Sequence, residues 1–490
     1  MFIDYIMSAE TFSDSLNYPN VKRRSVASRS FRVKIPSSNA TTFTPGQTIN
    51  IELPGNLQGQ YFNFNQMYLK FGVRASHATN TAGLVWDRAG AVSAIKRVQI
   101  STAGSAICDL NNYNVLYTAL LDTDASDEWK TSTGQILTGT TGGLSGEVVR
   151  SSVTGGEVRT YCVPIVLNPL ANTTPHRLIP AFSMSSIQMK ITLDDLQHMG
   201  ITSADLAVTF SEVEVVCMMT ELSPSAQAQV EQMTGGQYNI LANSYMNSGA
   251  SMSQGVSSVT ANLGFSVSSL ERILLVQRNS ASVNSSVAYS LGNRTPNALQ
   301  EFQYLINSEN YPQRPILVSD VGAEAYAELL IADHSLTDFR KGTKLGAGAM
   351  TSTNNQLFQN GYDSSKLGWE SSQAASFRGD TYNAGVVADQ VGTQRGETST
   401  QIAFVAGNVP VPAVVSNIGT FLGACEFETG LSDGKSQNIY SGISTIASTV
   451  QYKGTYGAAT SLACNLDFFA EYSVMLSLDT RGTGVWNVSV

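Results

Sequence analysis

The chain has 490 residues and a mass of 52.4 kDa, with 42% hydrophobic but only 14% charged residues and a net charge of −9. Ser, Thr, Asn, Gln and 41 glycines replace the missing charge, which excludes a coiled coil or a helical solenoid and favours β-strands and turns. It also suits a surface that lies against other subunits, because interfaces are depleted of Lys, Glu and Asp.

The first distinctive segment is basic. Residues 22–34 contain no acid and the following bases: Lys22, Arg23, Arg24, Arg29, Arg32 and Lys34. The chain as a whole is acidic and is therefore not a dedicated nucleic-acid-binding domain. A basic segment on an acidic body predicts contact with an anionic partner. The alternatives are a solvated arm, or an arm that pairs with the acidic body of a neighbouring chain.

Apolar and polar residues then alternate along many segments, which predicts antiparallel strands with one buried face. In the first half the alternation covers residues 31–35, 49–53, 67–73, 187–193 and 206–217. Its phase changes between Phe210 and Val213, as a β-bulge would produce. In the second half it covers residues 263–267, 302–306 and 466–478.

Three short helices are predicted between these strands. Ser223 can cap a helix that has Pro224 at its first position, runs to Met233 and stops at two glycines. Residues 113–121 have apolar side chains at helical spacing, and residues 323–331 form the third candidate.

The pattern predicts an all-β chain of two tandem β-domains with a few short helices and long loop insertions. The predicted divisions are an N-terminal arm (1–26), a first β-domain (27–221), a linker helix (222–236) and a second β-domain (237–490). An insertion is expected at about 341–400, where polar residues and glycine show little periodicity, and residues 123–157 would be its shorter counterpart.

The cysteines are odd in number and far apart: Cys108, Cys162, Cys217, Cys425 and Cys464. We expect free, buried thiols in a reducing compartment. No signal peptide is expected, because the N-terminal residues include acids and lack an apolar core. No apolar run is long enough to predict a transmembrane helix.

No segment predicts a catalytic, cofactor-binding or metal-binding site. None of the four histidines pairs with a His, Cys or carboxylate at ligand spacing, and we interpret Asp194, Asp195 and His198 as a turn at a strand end. The carboxylate pair Glu212 and Glu214 is expected to cap or solvate a strand. No phosphate loop and no G-x-S-x-G elbow is present, so the chain is predicted not to be an enzyme.

Several stretches resemble the double-jelly-roll major capsid proteins of polinton-like viruses and virophages. They are spread in order over about residues 45–320, as Gln60–Asn65 leading into Met67–Phe71, Ile107–Tyr117, Leu222–Ala226, Phe302–Ile306 and Tyr311–Pro315. The last of these reads Tyr-Pro-Gln-Arg-Pro and is the most distinctive.

The resemblance implies two eight-stranded jelly rolls per chain and three chains per capsomer, so that six barrels form a nearly hexagonal tile. Such trimers would build the icosahedral shell of a double-stranded DNA virus, with other proteins at the fivefold vertices and minor capsid proteins as partners. The N-terminus would lie at the base of the barrels. Genome, internal membrane or a neighbouring capsomer would then face the basic residues Lys22, Arg23, Arg24 and Arg29.

Two other classes of function stay open at this point. A trimeric carbohydrate-binding adhesin or receptor-binding fibre would have exposed aromatic clusters, for which Tyr362, Trp369 and Tyr382 are the candidates. A β-sandwich glycosidase would need two carboxylates about 5–10 Å apart in a cleft.

Overall fold

The structure is a computed structural model of the chain. It describes residues 28–77, 83–102, 105–141, 145–152, 158–174, 176–182, 186–202, 205–286, 288–318, 323–336, 419–428, 442–457, 462–479 and 486–489. The N-terminal arm with Lys22, Arg23 and Arg24, and the expected insertion at 341–400, lie outside these residues. No helix among the described residues is long and apolar enough to cross a membrane.

The first half of the chain is built mainly from strands. They are β1 (Ser28–Pro36), β2 (Thr42–Phe43), β3 (Thr48–Leu53), β4 (Gln60–Ser76), β5 (Gly83–Trp86), β6 (Ile95–Thr102), β7 (Ser105–Asn111), β8 (Val148–Ser152), β9 (Arg159–Pro164), β10 (Ile179–Pro180), β11 (Ile187–Leu193), β12 (Gly200–Ile201) and β13 (Ala207–Leu222). Short helices lie between them: a 3₁₀ helix (Gly90–Ala94), α1 (Tyr113–Asp124), α2 (Asp127–Thr131), α3 (Thr133–Thr138) and α4 (Leu196–Met199).

These strands form two sheets packed face to face. The larger sheet has the order β1-β13-β4-β8-β5-β12, with β2, β9 and β10 attached, and the smaller has the order β3-β11-β6-β7. Alternate apolar residues of both sheets point into one core, as in β11, where Ile187, Met189 and Ile191 are fully buried. The predicted bulge is confirmed, because the register of β13 against β4 shifts between Ser211 and Glu214.

Helix α5 (Pro224–Thr234) joins the two halves. The side chain of Ser223 accepts a hydrogen bond from the backbone N–H of Ala226, and Gly235 ends the helix in the left-handed conformation. This confirms the helix predicted from the cap and stop signals. The helices predicted at 113–121 and 323–331 are also present.

The second half repeats the plan of the first. Its strands are β14 (Gln237–Met252), β15 (Ser258–Leu263), β16 (Leu270–Asn279), β17 (Asn293–Arg294), β18 (Leu299–Ile306), β19 (Glu309–Leu317), β20 (Gly419–Thr420), β21 (Gly423–Glu426), β22 (Val450–Tyr456), β23 (Cys464–Asp479) and β24 (Trp486–Ser489). Its helices are α6 (Ser280–Val283) and α7 (Ala323–Ala332).

Eight strands of each half occupy equivalent positions. The larger sheet of the second half has the order β14-β23-β16-β17-β20 and the smaller has the order β15-β22-β18-β19. Thus β14, β23 and β16 correspond to β1, β13 and β4, and β15, β22, β18 and β19 correspond to β3, β11, β6 and β7. The eighth pair is β9 and β21, which join β4 and β16 respectively. The predicted all-β class with two tandem eight-stranded barrels is confirmed.

One strand prediction was too long. The alternation at 263–267 continues past the end of β15 at Leu263, yet Phe265 and Val267 are buried outside any strand. Two buried side chains separated by one residue can equally belong to a segment that closes the end of a barrel, so alternation over so few residues does not fix a strand.

Candidate functional site: the barrel junction and the sheet edges

The two barrels meet through the edges of unlike sheets. Strand β7, at the edge of the smaller sheet of the first barrel, lies against β14, at the edge of the larger sheet of the second. Ser244 of β14 lies beside the Cys108 thiol of β7, and the rings of Phe182 and Tyr238 meet edge to face at 5.7 Å. The contact is head-to-tail, because each barrel offers a different edge.

A buried charge cluster lies in this junction. Asp122 of α1 accepts a hydrogen bond from Arg88 at 2.9 Å, pairs with Arg294 of the second barrel, and lies 3.8 Å from the Lys130 ammonium. Burial raises the pKa of Asp122, but the neighbouring cations outweigh burial and hold it below its usual range. Nε and Nη1 of Arg294 contact no acceptor among the described residues.

A second carboxylate joins the barrels through backbone groups. Asp87, fully buried, accepts hydrogen bonds from the N–H groups of Leu291 and Gly292 in the other barrel, at 2.8 and 3.1 Å. Burial raises the pKa of Asp87 to about 6, against the opposing effect of these N–H groups. The junction is therefore polar and interlocked, unlike the contact of two domains that move independently.

The basic site residue that the structure describes lies on β1. Nε of Arg29 donates to Glu221 at 2.7 Å, its guanidinium lies 5.6 Å from the Phe31 ring centre, and 75% of its side chain is exposed. Arg32 is exposed and makes no ion pair with any described residue. The structure thus places Arg29 and Arg32 on an open sheet edge, while Lys22, Arg23 and Arg24 lie outside the described part of the chain.

Two of the carboxylates considered in the sequence, Glu214 and Asp194, have structural partners. Glu214 receives a hydrogen bond from Lys70 at 2.8 Å, which lowers the pKa of Glu214 below its usual range. The turn expected at Asp194–His198 is present as the short helix α4. The expectation that no histidine pairs with a carboxylate was wrong, since Nδ1 of His198 lies 2.9 Å from Asp194. Burial raises the pKa of Asp194, and the His198 contact reverses this. All five cysteines are free thiols, as expected, but Cys162 is only partly buried, so the expectation that all five are buried was wrong at that position.

An acidic pocket on the second barrel escaped the sequence analysis. His334, which follows α7, lies 3.9 Å from both Glu426 and Glu428 beside a cavity of about 130 Å³. Glu271 lines the same cavity and is 8% exposed, and among the described residues its carboxylate accepts hydrogen bonds from Asn243 and Ser473. Burial raises the pKa of Glu271 to about 7. The residues lie too far apart in the sequence to form a recognisable motif.

Solved viral capsid structures share this architecture over nearly the whole chain. VP54 of PBCV-1, fitted into a cryo-EM reconstruction of the virophage Sputnik, matches with a TM-score of 0.57 at 10% identity, over 96% of this chain and 99% of that chain. A chain of the cryo-EM structure of the Sputnik virophage gives 0.54 at 10% identity, over 100% and 93%. The Faustovirus major capsid protein gives 0.50 at 9% identity, over 94% and 92%.

No family model and no curated protein sequence matches the chain. The chain has the double-jelly-roll fold, the fold of viral major capsid proteins. The capsid structures to which the chain is similar include those of a virophage and of giant viruses. This confirms, at the level of the fold, the resemblance noted in the sequence.

Proposed function

We propose that the chain is a major capsid protein that assembles as a trimer into the icosahedral shell of a double-stranded DNA virus. The observation that carries this proposal is the double jelly roll, matched from end to end by VP54 with 96% of this chain and 99% of that chain covered. Three chains would supply six barrels to one nearly hexagonal capsomer. The low charge of the chain and its interlocked barrels suit a rigid tile with extensive subunit contacts.

The proposal includes a structural, non-enzymatic role as a component of the virion, made in the host-cell interior. It is supported by Asp194 of the first barrel and Asp467 of the second, two carboxylates that line one cleft between the barrels. Asp194 is hydrogen-bonded to His198, and Asp467 receives a hydrogen bond from Arg278 at 2.8 Å, so both carboxylates already have a side-chain partner. Tyr362, Trp369 and Tyr382, the candidates for an adhesin, lie outside the described residues.

The proposed partners are neighbouring capsomers, penton and minor capsid proteins, and an anionic interior partner, genome or membrane, for Lys22, Arg23, Arg24 and Arg29. A Lys22→Ala/Arg23→Ala/Arg24→Ala variant would then form trimers normally but give shells with less packaged DNA. Normal assembly and packaging by this variant would remove the interior role from these residues.

The experiment that tests the function is the absolute mass of the purified protein by light scattering, followed by electron microscopy. We expect a species of about 157 kDa, three times 52.4 kDa, with a compact hexagonal outline and an ability to form shells. A monomer of 52.4 kDa at all concentrations would contradict the proposal. An elongated trimeric rod would favour a fibre.

A further inference from the structure

The internal repeat leaves two sheet edges without the partner that their counterparts have. Within the chain, β7 of the first barrel contacts β14 of the second. The equivalents of these strands are β19, at an edge of the second barrel, and β1, at an edge of the first. No other described strand pairs with the outer side of either one.

Burial differs between the equivalent strands in the way a missing partner would produce. In β14, the consecutive residues Ser244 and Tyr245 are both buried and the register with β23 is continuous, so both faces of this strand are covered. In β19, Ile316 is buried but its neighbour Leu317 is 48% exposed, so only the inner face is covered. Strand β1 is likewise open, since Phe31 and Val33 are only partly buried although they pack on the core.

The charges on the two open edges are complementary. Helix α7, which packs beside β19 and β21, carries Glu324 and Glu328 one turn apart, and neither makes an ion pair with a described residue. Burial, and then the neighbouring Glu324, raise the pKa of Glu328, as expected for acids that lack a cation. The outer face of β1 carries Arg32 and Lys34, and both are exposed.

We infer that the acidic β19–α7 edge of one chain receives the basic β1 edge of a second copy, repeating between chains the β7–β14 contact made within the chain. The inference rests on the proposed function and names the subunit surface that would build the trimer. A head-to-tail contact closes into a ring when its rotation permits. The junction provides a precedent for the chemistry, because Asp122 on α1, which follows β7, pairs there with a cation of the adjoining barrel.

Arg314 on β19 is the exposed base on the acidic side, and Glu214 and Glu221 on β13 flank β1. Glu214 pairs with Lys70 and Lys34, and Glu221 pairs with Arg29. Arg32 is thus the β1 cation most available to another chain.

The test is a charge swap read by mass in solution. Glu324→Lys/Glu328→Lys and Arg32→Glu/Lys34→Glu should each raise the concentration at which half of the protein dissociates by about 100-fold or more, because like charges then face each other. Combining all four substitutions should restore the trimer, which a variant damaged only in folding would not do. The matched control is Lys190→Glu/Lys453→Glu, at exposed positions in the middle strands β11 and β22, and should leave the trimer intact.

The outcomes separate this inference from the proposed function. If the wild-type chain is trimeric and both two-charge variants are as trimeric as the control, the β1–β19 contact is wrong and the capsid function stands. If the four-substitution variant stays dissociated, the pairing of these two edges is also wrong. If the wild-type chain is never trimeric, the proposed function fails and this inference falls with it.

Discussion

At the scale of single residues, the most consequential choices are charges buried where water cannot reach them. Asp122 is 1% exposed and forms ion pairs with three cations, while Arg294 is 0% exposed and forms an ion pair with one acid. Removing a partner from such a cluster leaves a charge that costs several kcal/mol to keep buried. The loss of stability therefore depends on whether a substitution leaves the cluster with uncompensated positive or uncompensated negative charge.

This asymmetry makes a first prediction. Asp122→Asn leaves Arg88, Arg294 and Lys130 facing one another and should lower the free energy of unfolding by about 3–5 kcal/mol. Arg294→Met should cost less, because Arg88 and Lys130 still neutralise Asp122 and two donors of Arg294 have no acceptor among the described residues. Thermal or denaturant unfolding of both variants measures the difference. Equal losses, or a larger loss in Arg294→Met, would show that the cluster is not short of negative charge.

A second prediction concerns Glu271, whose pKa burial raises to about 7, with the nearby acids Glu471 and Glu428 adding to it and Arg272 opposing it. Between about pH 4.5 and pH 7 the folded carboxyl keeps a proton that the unfolded carboxyl has lost. The free energy of unfolding contributed by this group therefore falls as the pH rises through that window. Glu271→Gln removes this dependence.

The stability of Glu271→Gln relative to wild type should therefore increase from pH 4.5 to pH 8, by on the order of 3 kcal/mol. Placing an amide beside Asn243 has an effect that does not change with pH, so it cancels when the two pH profiles are compared. The titration of Asp87 cancels as well, because both proteins contain it. Unfolding midpoints across the pH range provide the measurement, with the exposed Glu52→Gln as the control. Parallel pH profiles for Glu271→Gln and wild type would contradict the raised pKa.

At the scale of elements, alternation and cap residues predicted those strands and helices whose structure depends mainly on their own sequence. The alternation at 466–478 predicted β23, and the cap and stop residues predicted α5. Strand β14 was missed because its buried face includes Ser244, which is covered by the other barrel. The acidic pocket at His334 and Glu426 was missed for a related reason, since β21 and α7 meet only in the folded barrel.

Helix α5 supports a third prediction, because none of its residues is fully buried and its cap is a main source of local order. Ser223→Ala removes the acceptor for the Ala226 N–H and should weaken the helix by about 1 kcal/mol, raising its opening about fivefold. The rate of limited proteolysis between residues 223 and 236, identified from fragment masses, should rise by that factor while the global unfolding midpoint stays nearly constant. Gln229→Ala, at an exposed position of the same helix, is the control. An unchanged cleavage rate in Ser223→Ala would show that the Tyr61–Gln227 hydrogen bond, rather than the cap, holds the helix.

At the scale of the whole molecule, the polar junction and the exposed linker assign different roles to the two connections between barrels. The covalent link passes through α5, where Met233 is 86% exposed. The non-covalent link holds Asp87, Asp122 and Arg294 in full burial, with groups from both barrels needed to satisfy them. If the barrels separated, these groups would lose their partners or become exposed to water. The junction should therefore hold the two halves together without the linker.

Cutting the linker tests this directly. A protease site inserted after Met233 should be cleaved efficiently, and both halves should still elute together from a sizing column with the mass of the uncut protein. In the same cleavable chain, Arg294→Glu places an acid against Asp122, and like charges in a buried contact cost several kcal/mol. The cut halves of that variant should therefore separate. If the cut wild-type halves separated, the covalent link and not the buried cluster would set the arrangement of the barrels. The contact within the chain would then no longer support the contact inferred between chains.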